Sequence, residues 1–302
     1  MTATRVPERT GSHEPASTQH VTEKDRTGRA GRIVATAAKY ATLVLACFAS
    51  LLPIVVIVIA ALKPAEEFRS SGVFELPSGV YLGNFVTAFT DGRMALGFVH
   101  TAIILTVSVG GAVVIGAMTA YAVDRFEFAA KRLVLVLFLI AVLVPGVTMQ
   151  VATFQIVNGL GLYNTLLAPI VLFMGTDIVS IYIFLQFVRS VPRELDEAAT
   201  LDGANHWTIF WQIIFPLLKP AVVTVVVIKG FAAYNEFYIP HLYMPSRELP
   251  VLSTSLFRFM GPYGSQWEII AAGVLIVIIP TLVVFLMLQR YIYNGFTSGA
   301  SK

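Results

Sequence analysis

The chain is poor in charge and almost without cysteine. Of its 302 residues only 13% are Asp, Glu, Lys or Arg, against 56% apolar, a balance that suits burial in lipid rather than a water-facing surface. A single cysteine, Cys47, excludes an intrachain disulfide and any cysteine-rich metal site. There is no G-x-x-x-x-G-K-[ST] loop, so the chain has no ordinary cradle for the phosphates of ATP. His13, His20, His100, His206 and His241 never fall in H-E-x-x-H spacing and no G-x-S-x-G turn occurs, so hydrolysis has no visible machinery. No catalytic residue, metal ligand or cofactor of this chain's own is expected. The net charge of +3 is too small to point to nucleic acid.

What is abundant is long apolar sequence. Six stretches, roughly 34–62, 97–123, 133–154, 166–188, 219–240 and 267–289, can cross about 30 Å of hydrocarbon at about 1.5 Å per helical residue. The expected fold class is therefore all-α, a polytopic protein of six transmembrane helices in a lipid bilayer. Residues 1–33, rich in Thr, Arg, Glu, Ser, Pro and Gly, lack the apolar content to fold and are expected to be a disordered tail. The first apolar run is too long for a cleaved signal peptide. Fifteen Lys and Arg fall on the side of the tail, the 124–132 loop, the 190–218 loop and the C-terminus; five fall on the other. The excess marks the cytoplasmic side, so both termini are expected there.

The 190–218 loop is unlike its surroundings. After Pro192, residues 193–204 are helix formers with acids in the first turns, and Gly203 stands where a helix would end. Leu195, Ala198, Ala199 and Asp202 share one face at helical spacing, and its two alanines would admit another protein surface closely. A second short helix is expected before Pro216 and Pro220.

Glu197-Ala198-Ala199, three residues, Gly203, nine residues, Ile213, one residue, Phe215 and Pro216 resemble the EAA loop of importer-type ABC transporter permeases. The pattern of that family is EAA-x3-G-x9-I-x-L-P, and Phe215 in place of leucine is the one departure. Val191-Pro192-Arg193-Glu194-Leu195 and Asp202-Gly203-Ala204 are most similar to the maltose-type, carbohydrate-importing inner-membrane subunits. The connector at 158–165 and the tail from Gly295 look like the corresponding family segments, the tail being the part that reaches the ATPase dimer interface. The resemblance covers about 34–302 and implies a multi-pass permease of a bacterial-type cell membrane. It implies a second homologous permease, two ATPase subunits that hold ATP and Mg, an extracytoplasmic solute-binding protein and a sugar substrate. In that scheme Glu194, Glu197, Ala198, Ala199, Asp202, Gly203 and Pro216 form the contact through which the ATPase moves the membrane domain.

Within the spans, Asp177 lies midway along the fourth and Lys229 about 14 Å above Pro220 in the fifth, with Tyr234-Asn235-Glu236 near the outer end. Phe231 to Pro240 also resembles the family's aromatic-Asn-acidic-Phe segment. A charge at mid-membrane costs about 2.5–3.5 kcal/mol on insertion scales, so these groups should face a cavity, a partner helix or one another. Lys229 and Glu236, seven residues apart, share a face with Ala232 and Ala233 between them. Asp177, Lys229, Tyr234, Asn235 and Glu236 are the candidate translocation pathway; a neutralising pair or a contact to the partner subunit is the structural alternative. Ser108, Ala112, Gly116 and Ala120, at intervals of four, read as a helix-packing stripe. Pro145 and Pro169 should interrupt spans three and four. A second functional class, an ion-coupled secondary transporter or channel using Asp177, Lys229 and Glu236, is kept open. It is weakened by the lack of a visible internal repeat.

Overall fold

The computed structural model describes residues 21–175, 178–261 and 264–300. The first 20 residues of the expected tail, and Asp177 of the expected pathway, lie outside the described residues. Two compact units are present, 1–56 and 57–302. The first contains most of helix α1, Val21–Ala61, whose Arg32–Ala61 portion is long and apolar enough to cross a membrane.

The second unit begins with the end of α1 and two short helices, α2 (Ala65–Ser70) and α3 (Gly83–Asp91). Here the end of α1 finds a side-chain donor: buried Asn84 donates its amide to Ala61 O, the last carbonyl of the helix, at 2.9 Å and to Lys63 O just beyond it at 2.8 Å. Lys63 is itself buried and donates to Ser71 Oγ and the Gly72 carbonyl, so one of the five cations expected on the outer side holds its own loop together.

Helix α4, Met94–Arg125, is the axis of the unit. Its 32 residues extend about 48 Å, well over the hydrocarbon thickness. The small-residue stripe explains what packs on it. Ala112, Gly116 and Ala120 are buried, and a Cβ at Gly116 would stand 3.2 Å from Phe184 Cδ2, tighter than ordinary contact. Phe184 is fully buried in that notch. Lipid is as apolar as the notch, so the fit gains dispersion contacts rather than escape from water.

After α4 come α5 (Lys131–Leu143), a 3-10 turn at Gly146–Met149 and α6 (Gln150–Gly159). The third expected span is therefore broken. Val144 is extended, as a residue before proline prefers, and α5 ends ahead of Pro145. Helices α7 (Leu167–Met174) and α8 (Ile178–Ser190) follow. Here the expectation of a break at Pro169 is corrected. Pro169 sits in the first turn of α7, where its missing N–H sacrifices no helical bond, and α7 runs on to Met174.

The loop expected at 190–218 contains α9 (Glu194–Leu201), α10 (His206–Ile209), a π-helical turn at Phe210–Ile214 and α11 (Phe215–Leu217). Both expected short helices are present, and the prolines open helices rather than merely ending one. Pro216 lies at the start of α11 and Pro220 at the start of α12 (Lys219–Asn235). The chain turns by 74° between the two segments. Helix α13 (Tyr238–Tyr243), helix α14 (Leu252–Ser255), a two-residue β-ribbon pairing Met260–Gly261 with Gly264–Ser265, and the long α15 (Trp267–Ala300) complete the chain.

Among the described residues three helices suffice by length and composition to cross a membrane, or up to five if each of two bent pairs counts as one span. The chain is thus a mostly helical, membrane-crossing bundle. Its largest buried cluster joins α4, α8, α9, the π turn and α12 through Tyr121, Phe184, Val188, Ala199, Phe210, Ile214 and Val225.

Candidate functional site

Helix α9 is built as the motif requires. Its acids Glu194, Asp196 and Glu197 lie in the first turn, where the helix dipole favours them. At the other end Gly203 has φ +86°, Gly203 N donates to Thr200 O at 3.0 Å and Ala204 N to Ala199 O at 2.9 Å. This is a Schellman end, and it needs a left-handed residue where the motif has glycine. Asn205 then caps α10, its Oδ1 accepting from Thr208 N at 2.8 Å.

The four residues expected on one outward face are divided. Ala199 is turned into the chain's own core, while Leu195, Ala198 and Asp202 are exposed. Ala199 belongs to the buried cluster that also holds Tyr121, Phe184, Phe210 and Ile214. Glu194 and Glu197 are exposed beside Ala198, and Leu201 is 89% exposed, which adds an apolar group to the same outward side of α9. Trp207 is also largely exposed. Pro216 opens α11 and is exposed. Sequence reasoning missed Leu201 and Trp207 as outward groups, because apolar residues next to a motif read equally well as core.

It also missed the anchor. Arg125, at the C-terminal end of α4, has its Nε 3.1 Å from Asp196 Oδ2, a charge contact rather than an aligned hydrogen bond. Its NH1 donates to Asp124 Oδ2 at 2.9 Å and its NH2 to the Val191 carbonyl at 2.8 Å. The Tyr121 hydroxyl donates to Asp196 Oδ1 at 3.2 Å. Arg193 donates to the Asp124 carbonyl at 2.9 Å, and Arg189 Nε lies 3.5 Å from Asp124 Oδ1. The Arg125 side chain is only 7% exposed, so this is a largely desolvated network that ties α9 to the C-terminal end of α4. Nearby but fully in solvent, Glu127 accepts from Lys131 at 2.8 Å, and that bond and charge hold its carboxyl below the usual value.

The second group of expected residues is partly assembled. Lys229, Ala232, Ala233 and Glu236 line one cleft of about 170 Å³ with Ser108 and Val109 of α4, Phe173 of α7 and Ile239 of α13. Glu236 Oε1 accepts from Tyr238 N at 2.7 Å and Ile239 N at 3.3 Å, which caps α13 and ends α12. Tyr234 and Asn235 are not part of that cleft. The Tyr234 hydroxyl donates to the Val277 carbonyl of α15 at 2.7 Å, and the exposed Asn235 amide donates back to Phe231 O at 2.9 Å.

A helical bundle with this loop has the makings of a membrane transport subunit, and the comparisons bear directly on that class. Residues 112–297 match the family model described as binding-protein-dependent transport system inner membrane component. The chain belongs to that family. It is accordingly a permease subunit rather than an enzyme, it resides in the membrane, and it works with a binding protein and other transporter components. It is 30% identical over 290 residues to the probable ABC transporter permease protein YurM of Bacillus subtilis, covering 96% of each chain. It is 31% identical over 266 residues to the trehalose transport system permease protein SugB of Mycobacterium tuberculosis, covering 84% of this chain and 93% of that protein. The melibiose/raffinose/stachyose import permease protein MelC of Bacillus subtilis is 29% identical over 263 residues, at 86% and 94% coverage. The same fold occurs in a solved bacterial ABC transporter involved in the import of the acidic polysaccharide alginate, at TM-score 0.75 and 18% identity, covering 91% of this chain and 99% of that one.

Proposed function

We propose that this chain is the membrane-spanning subunit of an ATP-driven importer for a sugar or oligosaccharide. The sugar class rests on the relatives named for trehalose and for melibiose, raffinose and stachyose. Family membership disfavours the ion-coupled carrier, which would need no α9 device. The assembly we infer has a second homologous permease, two ATPase subunits that hold ATP and Mg, and an extracytoplasmic binding protein. Six spans are inferred by counting the broken third segment as one, with both termini and α9 on the cytoplasmic side where the basic residues gather.

The observation that carries the mechanism is the anchor. Helix α9 offers an outward face of Glu194, Leu195, Glu197, Ala198, Leu201 and Asp202, while Asp196 on its inner side is tied to Arg125 at 3.1 Å. Closure of the ATPase on that face would displace α9, and the displaced helix would pull α4, whose other end lies on the far side of the bilayer. The bundle then switches between two packings rather than deforming continuously. Asp177, Lys229 and Glu236 are assigned to the translocation pathway on the cost of charge at mid-membrane, Tyr234 and Asn235 to its outer rim.

Reconstitution tests the reading. Uptake of a neutral di- or trisaccharide into proteoliposomes should require the ATPase, ATP and Mg, and the binding protein together. Uptake that proceeds without the ATPase but follows an imposed proton or sodium gradient would overturn it in favour of the secondary carrier.

A further inference from the structure

Ser108 belongs to the small-residue stripe of α4, yet unlike Ala112, Gly116 and Ala120 it carries a hydroxyl. It is fully buried, and its Oγ has no hydrogen-bond partner among the described residues. A buried hydroxyl left unsatisfied costs about 1–3 kcal/mol, and a serine in a helix ordinarily avoids that by bonding the carbonyl one turn back. Alanine at this position would serve helix packing equally well without the cost. Ser108 belongs to the lining of the same 170 Å³ cleft as Lys229 and Glu236. That is many times the roughly 10–15 Å³ needed to hold one water.

The chemistry of the lining is specific. Lys229 brings donors and a positive charge; Glu236 brings a negative one, and its Oε1 is occupied by α13 while Oε2 takes no hydrogen bond among the described residues. Among the described residues the lining thus carries one cation and one anion rather than charge of a single sign. Phe173, Val109 and Ile239 add apolar surface to the same lining. A sugar ring presents this combination, with hydroxyls that both donate and accept around its rim and C–H groups on its faces.

We propose that Ser108, Lys229 and Glu236 form a subsite of this chain for the hydroxyl rim of a neutral sugar ring, with Ser108 Oγ satisfied by a substrate hydroxyl during passage. The proposal rests on the assignment of the Lys229 face to the pathway and adds two things to it. This subunit touches the solute itself, and the solute carries no charge where it does so.

The test uses the full complex in proteoliposomes, with uptake of trehalose, melibiose and raffinose measured against digalacturonate. Wild type should move at least one of the three neutral sugars and not favour digalacturonate. For the neutral sugar moved fastest, Ser108→Ala should slow uptake about 2- to 10-fold, the equivalent of one neutral hydrogen bond. Ser108→Val, which also fills the cleft, should slow it further, and Ser108→Thr should keep most of the rate. Assembly of each variant, judged by size-exclusion chromatography, separates a lost contact from a lost fold. If Lys229→Met and Glu236→Gln slow uptake but assembled Ser108→Ala and Ser108→Val do not, the subsite is refuted while the pathway stands. If Lys229→Met and Glu236→Gln leave uptake unchanged, the pathway reading fails and the subsite with it. Preference for digalacturonate, or transport of none of the neutral sugars, overturns the inference of a neutral solute.

Discussion

Replacing Arg125 by Met should uncouple the transporter more than any single change on the outward face of α9. The guanidinium serves two carboxylates unequally. Asp124 would keep Arg189 at 3.5 Å and Arg193 at 3.8 Å, whereas Asp196 would keep only the Tyr121 hydroxyl. Removing one partner of a buried ion pair costs about 3–5 kcal/mol. The Asp196 side chain retains 17% exposure, so solvent offsets part of that, and about 1–3 kcal/mol is the reasonable expectation here. At 1.4 kcal/mol per decade this corresponds to roughly a 5- to 100-fold shift in the equilibrium that keeps α9 docked. The assay is ATP hydrolysis by the reconstituted complex, with and without sugar-loaded binding protein, beside thermal unfolding of the purified permease. Arg125→Met should lower the stimulated rate by about tenfold or more, and Asp196→Leu, which leaves Arg125 paired with Asp124 but cuts its link to α9 and strands the Tyr121 hydroxyl, should lower it as well. The double variant, with an apolar pair of similar volume in place of the charges, should recover part of both losses, an interaction energy of about 1–3 kcal/mol. Strictly additive losses would mean that the 3.1 Å contact carries no coupling, and the anchor would have to be sought elsewhere in the α4–α8–α9 cluster.

Gly203→Val should weaken coupling through about 1–2 kcal/mol of backbone strain at φ +86°, since no atom lies within 4 Å of the missing Cβ; Gly203→Asn, which tolerates the left-handed region, should retain much more. Equal loss in both would point to a direct partner contact with the glycine instead. Gly116→Val should lower the thermal stability of the purified protein, because its Cβ would press on Phe184 at 3.2 Å, and Phe184→Leu should relieve it; failure of the second change to help would place the clash elsewhere. In a variant with Cys47 replaced by serine, a cysteine at Ser246 should react with an impermeant thiol reagent in intact cells. A cysteine at the well-exposed Glu127 should react only after permeabilisation. The reverse pattern would invert the topology and remove α9 from the side where ATP is.

The class of this protein was legible in one dimension because lipid imposes its rule on every residue of a spanning segment. Long apolar runs, basic residues gathered on one side, and a polar loop with a glycine at a helix end are local facts, and the Gly203 turn and the α9 and α10 helices follow from neighbours within a few positions. Lys229, Ala232, Ala233 and Glu236 could likewise be placed together, since a helix period alone brings them to one face. What the fold decided depends on contacts distant in sequence. Asp196 meets Arg125 across 71 positions, and nothing in either neighbourhood names the other, because an acid in a first helical turn is satisfied equally by the dipole or by water. Ala199 and Ala198 are adjacent and chemically identical; only the assembled cluster around Tyr121, Phe184 and Phe210 takes one inward and leaves the other exposed. Ser108 and Gly116 belong to one stripe on α4, but α8 covers the glycine while the α7–α12–α13 cleft opens beside the serine. Periodicity gives every member of such a stripe the same face, and the helices crossing it at different heights give each a different neighbour.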